Sequence, residues 1–134
     1  MKLIQTYRES DNLVEYLKRL VGTVADVENF REVGSANNPA FQNSWVNYDL
    51  GWDTAAFYKD PYNVVHLKGL VKSGTINTAI FTLPQGYRPA STLIFPVIAG
   101  GNTIGRVDIL ANGDVQHLIG NNAFFSLNLS FRSV

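Results

Sequence analysis

Three aspartates, Asp49, Asp53 and Asp60, fall in one short stretch that also holds Trp45, Tyr48, Trp52, Tyr58 and Tyr62. Aromatic rings beside carboxylates are the parts of a sugar subsite. The ring faces take the apolar C–H face of a sugar, and the carboxylates accept hydrogens from its hydroxyls. A glycosidase needs little more than two such acids. The same mixture also serves structure, because aromatics seal the rim of a β core and Asp initiates turns, as Asp60-Pro61 does. Structure is the first expectation for this stretch, sugar contact the second and hydrolysis a distant third. The residues expected to make sugar contact are Trp45, Tyr48, Trp52, Asp60 and Tyr62.

Other chemistry is scarce. His66 and His117 are the two histidines, and neither belongs to an HxH or HExxH spacing. His66 stands on the polar side of its strand and His117 beside a short strand, so each reads as a satisfied surface or partly buried side chain. The chain has no cysteine, which removes disulfides, thiolate nucleophiles and thiolate metal sites. It also has no GxSxG, no Walker loop and no GxGxxG after a strand. Gly100-Gly101 lies between two strands and reads as a hairpin turn, not a phosphate cradle. No catalytic residue, metal ligand or cofactor is assigned, and a non-enzymatic binding or structural module is expected.

Bulk properties narrow the partners. At 134 residues the chain has room for one core and an N-terminal extension. Charged residues make up 16%, against roughly 25% in ordinary soluble domains, and polarity comes instead from Asn, Thr, Ser and Gln. Such a surface suits recognition through neutral hydrogen bonds. The 11 basic and 11 acidic residues cancel and the basic ones do not cluster, so no nucleic acid is expected. No apolar run nears the roughly 20 residues of a transmembrane helix, and no signal-peptide core opens the chain. No membrane insertion is expected, and synthesis in a cytosol is.

Two periodicities organise the chain. Leu13, Leu17, Leu20, Val24 and Val27 step by four and three, the narrow apolar stripe of a helix. Asn12 with Glu15 makes a capping box, Gly34 is the expected stop, and Gly22-Thr23 is a candidate break. The stripe either packs on the chain's own β domain or meets sister chains. Gly34 to Pro39 reads as a linker. Beyond it the period is two: Val65 and Leu67, Val107 and Ile109, and Phe125, Leu127, Leu129 and Phe131 each alternate with polar residues. Asn112-Gly113 is the strongest hairpin signal. The expected fold is mainly β, an antiparallel, jelly-roll-like β-sandwich of about eight strands over residues 35–134, preceded by a short α-helical segment over 1–34.

The stretch from Trp52 to Pro89 carries a resemblance. Phe57-Tyr58-Lys59-Asp60 leads to Val65-His66-Leu67-Lys68-Gly69, then a turn at Gly74, then Phe81-Thr82-Leu83-Pro84-Gln85-Gly86-Tyr87-Arg88-Pro89. Arg106 to Leu110, the turn Asn112-Gly113-Asp114 and the terminal alternating strand extend it. In that succession the chain resembles the C-terminal, head-like domains of phage tail-fibre and baseplate receptor-binding proteins, of the type found in phages of Gram-positive bacteria. The resemblance implies a virion component made in the host cytoplasm. It also implies a homotrimer built through the helical part, and a head that binds a host cell-wall saccharide or, alternatively, other phage tail proteins. The helical part is shorter than the family's usual one. Gly69 and the Pro84–Pro89 corner read as scaffold.

Overall fold

The computed structural model describes residues 12–17 and 27–134. Asn12 caps a helical turn at residues 13–17: its Oδ1 accepts from the Val14 N–H at 2.8 Å, and its carbonyl from the Tyr16 N–H at 2.9 Å. Leu13 and Leu17 of the expected stripe are each about half exposed. Leu20, Val24 and the Gly22-Thr23 break lie outside the described residues. Eleven strands follow: β1 (Arg31–Glu32), β2 (Val46–Asn47), β3 (Ala56–Lys59), β4 (Val64–Lys68), β5 (Leu70–Lys72), β6 (Ala79–Thr82), β7 (Leu93–Ala99), β8 (Thr103–Ile109), β9 (Asp114–Ile119), β10 (Phe125–Ser126) and β11 (Leu129–Arg132).

Antiparallel pairing sorts these strands into a four-stranded sheet, β1-β3-β4-β11, and a seven-stranded one, β2-β5-β10-β7-β8-β9-β6. The sandwich expected from the alternation is therefore present, with more and shorter strands than the pattern suggested. The extra strands come from corners. The run from Val64 to Lys72 crosses between the sheets at Gly69, and its neighbour from Phe125 to Arg132 crosses at Leu127-Asn128. The Leu127 N–H donates to the Gly69 carbonyl at 2.9 Å, and the Gly69 N–H to Asn128 Oδ1 at 3.1 Å. Gly69 has φ 121, and a Cβ there would lie 2.5 Å from Ala55 Cα, so only glycine fits the bend.

Two expectations are corrected at the N-terminal side. Residues 27–30 are not helical, so Val27 does not extend the helical stripe. Gly34 does not stop a helix; at φ 90 it closes a turn after β1, its N–H donating to the Pro39 carbonyl at 2.7 Å. The cause is Glu28, whose Oε1 accepts from the Lys59 N–H at 2.8 Å while both its oxygens accept from the Tyr87 hydroxyl at 2.7 Å. That clasp lays the segment beside β3. The β structure thus includes β1, on the N-terminal side of residue 35, and the Gly34–Pro39 stretch is a hydrogen-bonded turn.

The core joins the sheets. Phe57 of β3 stacks on Phe81 of β6 at 6.0 Å, and Tyr87 meets Phe57 edge-on at 5.2 Å, covering the core edge as the Pro84–Pro89 corner suggested. Each such buried ring contributes about 1.5–3 kcal/mol. At the other end Trp45, His117 and Phe125 pack together, with His117 4.5 Å from Phe125 and 5.2 Å from Trp45. The β8–β9 hairpin turns at Asn112-Gly113 as expected, with only Gly113 at positive φ.

Candidate functional site

A loop between β2 and β3 builds one wall of a cleft on the seven-stranded sheet. Asp49, Leu50 and Gly51 are left-handed in succession, at φ 63, 55 and 87. Each non-glycine residue in that conformation costs about 1–2 kcal/mol, so contacts at the loop's ends must hold it. Leu70 supplies them from both sides. Its carbonyl accepts from the Tyr48 N–H at 2.8 Å, and its N–H donates to the Asp53 carbonyl at 3.0 Å. Asn47 Oδ1 adds an acceptor for the Ala55 N–H at 2.8 Å. Clamped in this way, the loop leaves Trp52 62% exposed.

The cleft encloses about 420 Å³. Tyr48 and Trp52 line it from the loop, Phe124, Ser126 and Asn128 from the β10 segment, Ile98 from β7 and Asn102 from the β7–β8 turn. Tyr48 stands edge-on to Trp52 at 6.5 Å and to Phe124 at 6.3 Å. Lys72, on the neighbouring strand, places its ammonium 5.3 Å from the Tyr48 ring centre. Around these rings the polar groups are underused. Asp53 Oδ2, Asn128 Nδ2, Ser126 Oγ and the Asn102 amide have no hydrogen-bond partner among the described residues. A ligand that offers an apolar face together with hydroxyls matches both sets.

The structure divides the five residues expected from the sequence. Tyr48 and Trp52 come together in the cleft. Trp45 does not reach the surface: it is 1% exposed, and its Nε1 donates to Thr78 Oγ1 at 3.2 Å. Gly74 makes room for that ring, since a Cβ there would sit 2.0 Å from it. Asp60 and Tyr62 occupy the β3–β4 turn. From there the length of β3, more than roughly 10 Å, separates them from the cleft. Asp60 Oδ1 accepts from the Tyr62 and Val64 N–H groups at 2.8 and 3.1 Å, and Oδ2 pairs with His66 Nε2 at 2.9 Å. The His66 bond holds the Asp60 carboxyl below its ordinary range, and the two N–H groups reinforce it. Tyr62 is 76% exposed.

His66 also reaches Ser130 Oγ through Nδ1 at 2.9 Å and stacks on Tyr58 at 4.8 Å. The acid lies on Nε2 and the serine stands on the open face of the edge strand β11, so the arrangement ties the β3–β4 turn, β4 and β11 together. His117 proves to be fully inside the core, not partly buried. Its Nδ1 accepts from the Asn77 N–H at 3.1 Å, and its Nε2 has no partner among the described residues. Burial pushes its pKa down. No group of three or more His, Asp or Glu among the described residues could hold a metal ion.

Sequence reasoning missed the cleft's second wall. Phe124 and Phe125 are adjacent, and adjacent strand residues point to opposite faces. One of the pair had to leave the core, and that was the available signal. Asn102, Ser126 and Asn128 carried none, because corners and turns use the same residues.

Fold and cleft together describe a β-sandwich that presents an aromatic and polar hollow. No family model matches the chain, and no curated protein does so. Among solved structures it is similar to the receptor binding protein gp15 of Listeria phage PSA, with a TM-score of 0.74 at 12% identity, over 94% of this chain and 76% of that one. The two share a fold.

Proposed function

We propose that the chain is a phage tail receptor-binding module that holds a host surface saccharide in the Tyr48–Trp52–Phe124 cleft, without catalysis, metal or cofactor. The observation that carries this reading is the coincidence of three aromatic rings with polar groups left unpaired in one cleft. The fold shared with a phage receptor binding protein supports the tail as its place, in a virion assembled in the host cytoplasm. Affinity comes from C–H contact with rings and from neutral hydrogen bonds. Binding of the purified chain to isolated cell walls of candidate hosts tests this. Retention that changes little between low and high salt and is lost in Trp52→Ala is expected. No retention on any wall would refute it.

A second reading, a structural tail or baseplate adaptor with no sugar ligand, has one observation in its favour. Ile94 and Ile98 of β7, Ile104 of β8 and Ile119 of β9 are all at least half exposed. Apolar residues gathered on one sheet suit contact with another protein. Antibody labelling of virions separates the two: a module reachable at the tail tip fits receptor binding, and one enclosed in the baseplate fits the adaptor.

A further inference from the structure

We infer that Asp53 is the specificity-determining acceptor of the cleft, selecting an uncharged saccharide that offers paired hydroxyls over one that carries phosphate; this rests on the saccharide reading of that cleft. Asp53 is the one charged residue among those lining it. Its backbone is fixed by the Leu70 N–H, and its side chain is fixed twice through the same oxygen. Oδ1 accepts from the Thr54 N–H at 3.1 Å and from Lys68 Nζ at 2.5 Å. Oδ2 is thereby oriented and left without a partner among the described residues. A carboxylate oxygen with both lone pairs free accepts from two neighbouring hydroxyls of one sugar ring, and an oriented one does so at a smaller entropic cost.

The charge balance weighs against the anionic alternative. Lys68 is shared between Asp53 and Glu32, whose Oε2 lies 3.9 Å from Nζ, and its ammonium stands 5.0 Å from the Phe30 ring centre. Its charge is already offset by these two carboxylates, and it does not line the cleft. Lys72, the other nearby cation, faces the Tyr48 ring from the adjacent strand and does not line the cleft. A phosphate entering beside Asp53 would meet a like charge whose one close cation, Lys68, is already paired with it. The Lys68 hydrogen bond, the largest influence on Asp53, keeps its carboxyl below the ordinary value and so favours the ionised acceptor.

Titration of the purified chain with neutral polysaccharides (a glucan, a galactan and a rhamnan) and with poly(glycerol phosphate) tests the inference. The wild-type chain binds at least one neutral polymer and prefers it to the phosphate polymer. Asp53→Asn, which keeps an acceptor for the Thr54 N–H, loses about tenfold or more for the neutral polymer, the scale of a hydrogen bond to a charged group. Lys68→Gln keeps the carboxylate but unties it, and loses about threefold; it serves also if Asp53→Asn does not fold, and unchanged affinity in Lys68→Gln would then overturn the inference. Loss of binding in Trp52→Ala with full binding in Asp53→Asn overturns it and leaves the cleft reading in place, as does a wild-type preference for poly(glycerol phosphate). Full binding in Trp52→Ala removes the cleft reading itself.

Discussion

Residues of like type play unlike roles here, and hydrogen-bond satisfaction distinguishes them. Tyr62 is the more exposed tyrosine, yet it caps a turn whose acid, Asp60, is already committed to two N–H groups and His66. Tyr48 is less exposed and faces unpaired polar groups. Tyr48→Ala is therefore expected to weaken saccharide binding by about tenfold, the scale of one lost aromatic contact, while Tyr62→Ala leaves it unchanged; calorimetric titration of both variants checks this. His117 gives a pH dependence. Burial lowers its pKa in the folded chain, whereas the unfolded chain keeps the ordinary value near 6.5. The unfolded state thus binds the proton more readily, so His117's contribution is complete above about pH 7.5 and is lost as pH falls below about 6.5. Urea midpoints measured from pH 8 to pH 5 should drop across that window. A His117→Asn chain, less stable throughout, should drop less.

At the scale of elements, most of the β pattern was legible because alternation is dictated by the pleat. Val65 and Leu67 of β4, Val107 and Ile109 of β8 and Phe131 of β11 face the core as the sequence reads, while Ile104 of β8 faces out. The corners were not legible. Alternation continues through Gly69 and through Leu127-Asn128 while the strand changes sheet, because side chains that faced one sheet's inner surface go on facing the shared core. Only the close approach to Ala55 marks the bend, and proximity of that kind is invisible in sequence. Gly69→Ala should cost about 3 kcal/mol, combining a backbone clash with a left-handed strain, and Gly86→Ala, at φ 94 with open space around it, about 1 kcal/mol. Denaturant midpoints at constant m-value compare them. Equal costs would remove the close-packed corner as the cause. One wall of the candidate site was likewise legible in part: Tyr48 and Trp52 lie on one loop, whereas Phe124, Ser126 and Asn128 reach the cleft only through the pairing of β10 with β5. Trp45 was misread because its space comes from Gly74, nearly thirty residues on.

For the whole molecule, we propose the homotrimer that the sequence resemblance implies, with the exposed Leu13 and Leu17 of the capped helical turn available to sister chains. Light scattering should return a mass three times that of one chain, and a monomer would assign the stripe to the chain's own packing. The central claim, that the Tyr48–Trp52–Phe124 cleft is where a saccharide binds, has a direct spectroscopic test because the chain holds only two tryptophans. Their indole N–H resonances differ in setting, Trp45 being buried and bonded to Thr78, and Trp52 open at the cleft. Titrating the labelled protein with a cell-wall polysaccharide that it retains should shift the Trp52 resonance and leave that of Trp45 in place. A Trp52 resonance that stays still while the polysaccharide is bound would contradict the claim.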